Sequence, residues 1–384
     1  MALTEKGMSA LGHVKTHFPT GAFSAADLSA ACGEKIVAAT LNAIANNGYL
    51  NKLGGSPVQF EAVADLLELL DGMELEISKG GCDNTNLTTA KRVKNDEFYT
   101  RYEDIEAEVM KYRKQFCGKV VYLPCDDPAE KKSEFWSFFV NNFDAFGLKK
   151  LIATHYDENG RAYKIWIDAD TSGDGYIDDA DALQEDLVGN GDFRSPECIE
   201  ILDECDIVCT NPPFSLFKEF INLLTTHNKQ YLIIGNKNAY SVKDVFHLFM
   251  ENKVWIGYEQ PKNFRLEDGT TTEKVNGLCR WFTNLPCSKR QEDLIMTKKY
   301  ADNPDAYPVY DSCDAIDVSR VVNIPSDYYG VMGVPITFLD KYNPDQFEIL
   351  GLDDPDLVYP NWRGRGPDLN GKTIYRRVMV RRKK

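Results

Sequence analysis

Asp206-Ile207-Val208-Cys209-Thr210-Asn211-Pro212-Pro213-Phe214 decides how this chain folds. The apolar run Ile207 to Cys209 predicts a strand buried on both faces, as in a parallel sheet. Asn211-Pro212-Pro213-Phe214 ends it, because two successive prolines lack N–H donors and have fixed φ. Ser215-Leu216-Phe217-Lys218-Glu219-Phe220-Ile221 then opens a helix. A stiff polar-aromatic hook therefore stands at the carboxyl end of a strand, where open α/β sheets place their ligands.

Strand and helix alternate around this stretch. Upstream, an amphipathic helix is predicted from about Tyr102 to Gln115, and a strand over Lys119 to Leu123. That strand ends in the acid-rich turn Pro124-Cys125-Asp126-Asp127-Pro128. An aromatic helix (Ser133 to Phe143), a strand (Leu148 to Tyr156) and a helix (Ile199 to Glu204) complete the approach. Downstream come a helix to His227 and a strand over Gln230 to Gly235. The alternation predicts a doubly wound α/β sheet. Residues 161–167 read as one arm of an excursion from it, within an acidic insertion at about 160–190. The pattern loosens after residue 240. There, strand-like stretches at 254–258 and 278–282 flank a turn, 300–335 is loop-rich, and 333–339 is expected to return to the sheet.

The first 72 residues form a separate module in this reading. Ser24-Ala25-Ala26-Asp27 has capping-box spacing. A helix follows to Cys32 and stops at Gly33; a second runs from Glu34 to Asn47 with Val37, Leu41 and Ile44 on one face. A hairpin over Tyr49 to Phe60 completes a winged-helix-like order, either DNA-contacting or structural. Residues 73–95 read as a linker, 96–240 as the catalytic core, and 336–384 as a return to the core with a basic tail.

The chain has 384 residues and a net charge of −15, which excludes a surface that is basic all over. The charge is uneven: from Arg363 to Lys384 there are nine Lys or Arg against one acid, Asp368. Arg376 to Lys384 thus reads as a polyanion-seeking tail, or simply a solubilising one. No apolar run approaches the ~20 residues that span a bilayer. Met1-Ala2-Leu3-Thr4-Glu5-Lys6 lacks a signal-peptide core, so a cytoplasmic protein is expected. Ten cysteines without a CxxC pair read as free thiols.

Asp170 to Asp181 has calcium-loop spacing, with side-chain oxygens at positions 1, 3, 5, 9 and 12, glycine at 6 and isoleucine at 8. The twelfth residue is Asp where Glu is usual, and Lys164 to Ile167 looks like a strand where an entering helix belongs. An acid-rich turn explains the same residues, so the metal remains an open reading.

The hook suits one kind of chemistry. An exocyclic amine is a poor nucleophile because its lone pair is delocalised into the ring or carbonyl. The Asn211 side-chain oxygen can accept one of its N–H groups and the Pro212 carbonyl, held by the stiff Pro212-Pro213 backbone, the other. Phe214 offers a ring for stacking, and a base inside a duplex must be flipped out to reach it. A methyl donor is then required nearby, with S-adenosylmethionine the expected cofactor. Candidate contacts are Phe98, Tyr99, Thr100, Cys125, Asp126, Asp127, Pro128, Asp157, Asp192 and Phe193, each of which could equally be a cap or turn residue.

Asn95-Asp-Glu-Phe-Tyr-Thr100, Asp126-Asp-Pro128, Gly191-Asp-Phe-Arg-Ser195 and Asp206 to Phe217 together resemble the EcoRI-type adenine-specific DNA methyltransferases. The resemblance covers about residues 95–355. It implies a Rossmann-like S-adenosylmethionine-dependent fold, catalytic Asn211, Pro212, Pro213 and Phe214, and methylation of adenine N6 in duplex DNA. Phe98-Tyr99-Thr100 match the motif that flanks the cofactor. Asp126-Asp127 stands where most methyltransferases carry a Gly-x-Gly loop. A monomer with a DNA partner is expected, with 241–335 reading the target and Arg265, Lys274 and Arg280 as candidates by charge. Rival readings are methylation of an RNA base or a protein glutamine amide, and a catalytically silent DNA-binding regulator.

Overall fold

The computed structural model describes residues 10, 13–14, 22–33, 36, 38–46, 50–53, 58–62, 99–126, 128, 134–157, 161–262, 264–265, 271–272, 277–311, 313–352 and 367–384. The chain divides into two compact units, Met1–Asp83 and Asn84–Lys384.

In the first unit, strand β1 (Phe23–Ser24) leads into helix α1 (Ala25–Cys32). The expected capping box forms: Ser24 and Asp27 bond reciprocally, and Gly33 ends the helix at φ 74°. Helix α2 (Ala38–Asn46) starts later than expected, and strands β2 (Leu50–Leu53) and β3 (Gln59–Ala62) pair antiparallel. Strand β1 joins β3, with Phe23 opposite Phe60, over a core that includes Leu28, Leu41, Ile44 and Leu50. The expected linker, Glu34, Lys35 and Val37 lie outside the described residues.

The second unit opens with helix α3 (Tyr102–Val109), strand β4 (Val120–Leu123) and helix α4 (Phe135–Asn141). Strands β5 (Lys150–His155), β6 (Tyr163–Ile167) and β7 (Leu183–Asp186) follow, then helix α5 (Pro196–Glu204) and strand β8 (Ile207–Thr210). Next come helix α6 (Phe217–Thr226), strand β9 (Gln230–Asn236), helix α7 (Lys243–Met250) and strand β10 (Trp255–Ile256). A two-stranded ribbon, β11 (Phe264–Arg265) with β12 (Thr271–Thr272), precedes strand β13 (Cys279–Thr283).

Among the described residues, one sheet runs β10-β13-β9-β8-β4-β5-β6-β7. Strands β5, β4, β8 and β9 are parallel. Period-2 alternation buries both of their faces: Ile207 and Cys209 join one cluster with Val121 and Leu232, and Val208 joins the other with Tyr122 and Ile233. Helix α6 covers the second face with Phe217, Phe220, Ile221 and Leu224, a 3.6-residue stripe.

The doubly wound expectation holds for these central strands and needs correction at both wings. Strands β6 and β7 continue the sheet antiparallel from β5, so 161–167 lies in the sheet and not outside it. Residues 156–162 are too few for a parallel return, which takes about a dozen. On the other side β13 runs antiparallel to both β9 and β10. The sheet therefore extends past residue 240 to Thr283, and the expected boundary there cuts through it.

A second sheet holds β14 (Ala315–Asp317), β15 (Val331–Pro335), β16 (Phe347–Leu352) and, after the ribbon β17 (Asp368–Leu369) and β18 (Lys372–Thr373), β19 (Arg377–Arg382). Its order is β14-β15-β19-β16, so the return expected at 333–339 goes to this sheet and not the main one. The basic tail is likewise corrected: β19 is an interior strand. Val378 and Val380 pack into one core cluster and Met379 into another. Apolar burial on both faces outweighs the charges, of which Arg377 pairs with Asp317 (2.9 Å) and Arg381 with Glu348 (3.8 Å).

Candidate active site

Strand β8 delivers the hook to the carboxyl edge of the sheet. Asn211 is half-buried and Pro212 buried. The Pro213 carbonyl accepts from the Leu216 N–H at 2.9 Å, which closes a single tight turn, Phe214–Leu216, ahead of α6. Among the described residues nothing donates to the Pro212 carbonyl. Strand β4 is the first neighbour. Its Tyr122 lies opposite Val208, and the two parallel strands end at Leu123 and Thr210, so both open on the same edge. The strands on either side of β4 are β5 and β8, and the chain order reverses there. That crevice is where open sheets bind ligands.

The acid turn after β4 is built into the fold. Asp126 is 2% exposed and its carboxylate accepts from the Trp136 N–H at 2.7 Å, which starts α4. Cys125 and Pro128 are half-buried beside it, while Asp127 lies outside the described residues. On the β5 side the Tyr122 hydroxyl and Thr154 Oγ1 are 2.9 Å apart. The Asp157 N–H donates to the Asn190 carbonyl at 3.0 Å, which draws the 190–193 loop onto the end of β5. Gly191 has φ 75°, and a Cβ there would strike the His155 carbonyl.

Asp192 is engaged by Arg194 through two side-chain bonds, at 2.9 and 2.6 Å, and Arg194 reaches on to Glu219 of α6 at 2.8 Å. The Arg194 guanidinium holds the Asp192 carboxyl below the usual carboxylate range. Phe193 is 7% exposed and meets Phe220 edge-on at 5.0 Å, a core contact.

Phe98 lies outside the described residues. Tyr99 pairs with Arg265 through two backbone bonds of 2.9 Å. Arg265 also bonds Glu134 at 3.1 Å, and the Glu134 carboxylate accepts the Tyr102 N–H. Glu134 thereby ties Tyr99 to Tyr102 onto the start of α4, beside Asp126. Its signal in the sequence was an acid at a helix entrance, two residues before the Trp136 that Asp126 caps. Helix α3 steadies the opposite side: buried Glu108 accepts from the N–H groups of Tyr258 (2.8 Å) and Glu259 (2.6 Å). Burial pushes the Glu108 carboxyl up.

Two of the three cations picked out by charge are occupied inside the fold. Arg265 serves Glu134, and Arg280 pairs with Asp340 at 3.0 Å and donates to the Gly277 and Cys279 carbonyls. Lys274 lies outside the described residues.

In the acidic loop, Asp181 accepts from the N–H groups of Asp178 (3.0 Å), Ser172 (2.9 Å) and Thr171 (2.8 Å), which hold its carboxyl down at about 2. Asp170 accepts from Gly173 and Gly175 in the same way. The loop is the bend between β6 and β7, and its acids tie its own amides. Among the described residues no helix is long and apolar enough to cross a membrane.

Two hydroxyls at this edge bear on what it holds. Thr100 and Thr210 are 1% and 0% exposed, and neither hydroxyl has a hydrogen-bond partner among the described residues. Buried polar groups in this state are uncommon and fit a site made for a polar ligand.

A mixed α/β sheet with an Asn-Pro-Pro-aromatic hook on the carboxyl edge of its middle strands is the frame of a methyltransferase. Comparison with known families narrows the class. The profile of the family described as adenine-specific methyltransferase EcoRI matches residues 86–383, and the chain belongs to that family. It is 42% identical over 330 residues to Type II methyltransferase M.EcoRI of Escherichia coli, covering 78% of this chain and 97% of the relative. Type II methyltransferases M.MpnI of Mycoplasma pneumoniae (38% over 322 residues) and M.MgeORF184P of Mycoplasma genitalium (39% over 321) are covered to 97% each, by 77% and 76% of this chain. No solved structure matches the chain. The family match starts at residue 86, so the first compact unit lies outside it.

Proposed function

We propose that this adenine-specific methyltransferase is a site-specific DNA-modifying enzyme, transferring a methyl group from S-adenosylmethionine to N6 of an adenine flipped out of duplex DNA. The observation that supports this reading is that Asn211 to Phe214 follow β8 at its carboxyl end, next to β4 and the acid turn that follows it. Asn211 Oδ1 and the Pro212 carbonyl hold the two N6 protons, which draws the lone pair out of conjugation and aims it. The Pro213 carbonyl is occupied by Leu216, and among the described residues nothing takes the Pro212 carbonyl, which is the acceptor for the substrate. Phe214 stacks on the adenine.

Phe98, Tyr99, Thr100, Cys125, Asp126, Asp127, Pro128, Asp157 and Asp192 hold the cofactor, with Phe193 supporting the loop from the core. When bound, S-adenosylmethionine supplies an electrophilic methyl group on a positively charged sulfur. The rate then comes mainly from positioning, since no strong base is needed before attack. The first unit is a winged-helix-like module, residues 241–335 read the target, and the protein works as a monomer in the cytoplasm, where its DNA is.

The test is direct. The protein is incubated with labelled S-adenosylmethionine and, separately, adenine-unmethylated DNA, RNA and protein extract. Label in DNA as N6-methyladenine at one repeated sequence is expected. Label confined to RNA or protein would overturn the reading.

A further inference from the structure

The chain carries −15 net charge, so a polyanion docks best where cations gather, and Arg363 to Lys384 holds nine Lys or Arg against one acid. Within it, Arg377 and Arg381 face acids and Arg382 lies over the Tyr329 ring at 5.0 Å. Lys372 and Arg376 are exposed, and between them Tyr375 stands 89% exposed.

The support under Tyr375 is stiff. Asn370 (φ 52°) and Gly371 (φ 73°) make the left-handed pair that a two-residue hairpin needs, joining β17 to β18. Asp311 clamps that turn, accepting from the Asn370 and Gly371 N–H groups at 3.1 and 2.6 Å. The Ile374 N–H donates to the Pro367 carbonyl at 3.0 Å, and its side chain packs with Tyr310 and Met379. Arg377 donates to the Tyr375 carbonyl at 3.3 Å, and Arg376 to the Ser241 carbonyl at 3.0 Å. The backbone on both sides of Tyr375 is thus pinned while its ring is in water.

Ser241 places this finger. It closes the turn Lys237–Ser241 that follows β9, and β9 lies beside β8 in the sheet, pointing the same way. The finger therefore stands at the edge that carries Asn211. An aromatic ring held out between two cations matches the physics of nucleic-acid contact, in which cations take phosphates and rings take bases.

We propose that Lys372, Tyr375 and Arg376 form a duplex-contact element beside the hook, with both cations on phosphates and the Tyr375 ring packed against the sugars and base edges of a groove. This rests on the DNA reading above and names residues for it. Wild type, Tyr375→Ala, Tyr375→Phe and Lys372→Ala are titrated with adenine-unmethylated plasmid fragments over a range of salt, and assayed for label transfer. Tyr375→Ala binds about tenfold more weakly, and Tyr375→Phe binds like wild type, because the apolar face of the ring is what packs on the duplex. Lys372→Ala lowers the slope of log affinity against log salt by about one. Thermal unfolding checks that each variant is folded. If wild type labels DNA but Tyr375→Ala and Lys372→Ala bind as it does, the element is overturned and the enzyme reading stands. A Phe variant as weak as the Ala variant overturns the ring contact. If wild type neither binds nor labels DNA, the enzyme reading falls and the element with it.

Discussion

Asp206 and Val120 are bonded twice: the Asp206 N–H donates to the Val120 carbonyl and its carboxylate accepts from the Val120 N–H, both at 2.9 Å. The pair joins the amino ends of β8 and β4, so the carboxyl ends of these strands finish level with each other. Asp206→Ala removes a bond to a charged acceptor and is expected to cost about 1–2 kcal/mol of stability, read from urea unfolding. An unchanged midpoint would show the register to be set elsewhere.

Asn211→Ala removes the acceptor proposed to aim the amine. The turnover number is expected to fall at least a hundredfold, by roughly the scale of one lost transition-state partner. Cofactor binding by calorimetry stays near the wild-type value. Asn211→Asp keeps an acceptor and should retain more activity than the Ala variant. Equal losses would show that the acceptor is not what matters.

Gly191→Ala tests the loop behind Asp192. At φ 75°, with the His155 carbonyl in the way of a Cβ, alanine is strained twice over. A loss of about 1–3 kcal/mol is expected. The Michaelis constant for S-adenosylmethionine should rise, since Asp157 and Asp192 flank the distortion. A variant with wild-type values for both would refute the account.

The Asp181 carboxyl, held at about 2 by the Asp178, Ser172 and Thr171 N–H groups, gives a pH prediction with a definite sign. Its folded value lies below the ordinary 3.8, so its stabilisation is fully present above about pH 4 and disappears as pH falls through about 2. Protection of the Thr171 and Ser172 amides from hydrogen exchange should weaken across that window. In Asp181→Asn the dependence should vanish; its persistence would point to another group.

Removal of residues 1–83 should leave methyl transfer within about threefold, because the family match starts at residue 86 and the second unit has its own core. A dead but folded truncation would make the first unit part of the catalytic machinery.

The central sheet was legible because Ile207 to Cys209 and Val120 to Leu123 are short apolar runs that end in proline-rich turns. The wings were not. Tyr163–Ile167 reads as a strand, but nothing in its composition says that its partner is β5 and its direction antiparallel. The tail misled for a related reason. Arginines at both ends of Val378-Met379-Val380 suggest a surface, while the strands that bury those three residues lie far back in the chain. At the site, Asn211 to Phe214 announce themselves by residue type and order. Glu134, joining Arg265 to Tyr102, does not, because its partners come from segments brought together only by the fold. Phe193 shows the converse: an aromatic beside an acid reads as a ligand contact, and its ring sits in the core.

Among the described residues, strand β19 is what links β15 and β16 in the second sheet. While a ribosome is still short of Arg377, β15 and β16 each present an edge with unanswered N–H and C=O groups. Nascent or prematurely terminated chains are therefore the ones expected to stick to each other, and a protease that cuts before Arg377 would convert a finished molecule into the same hazard.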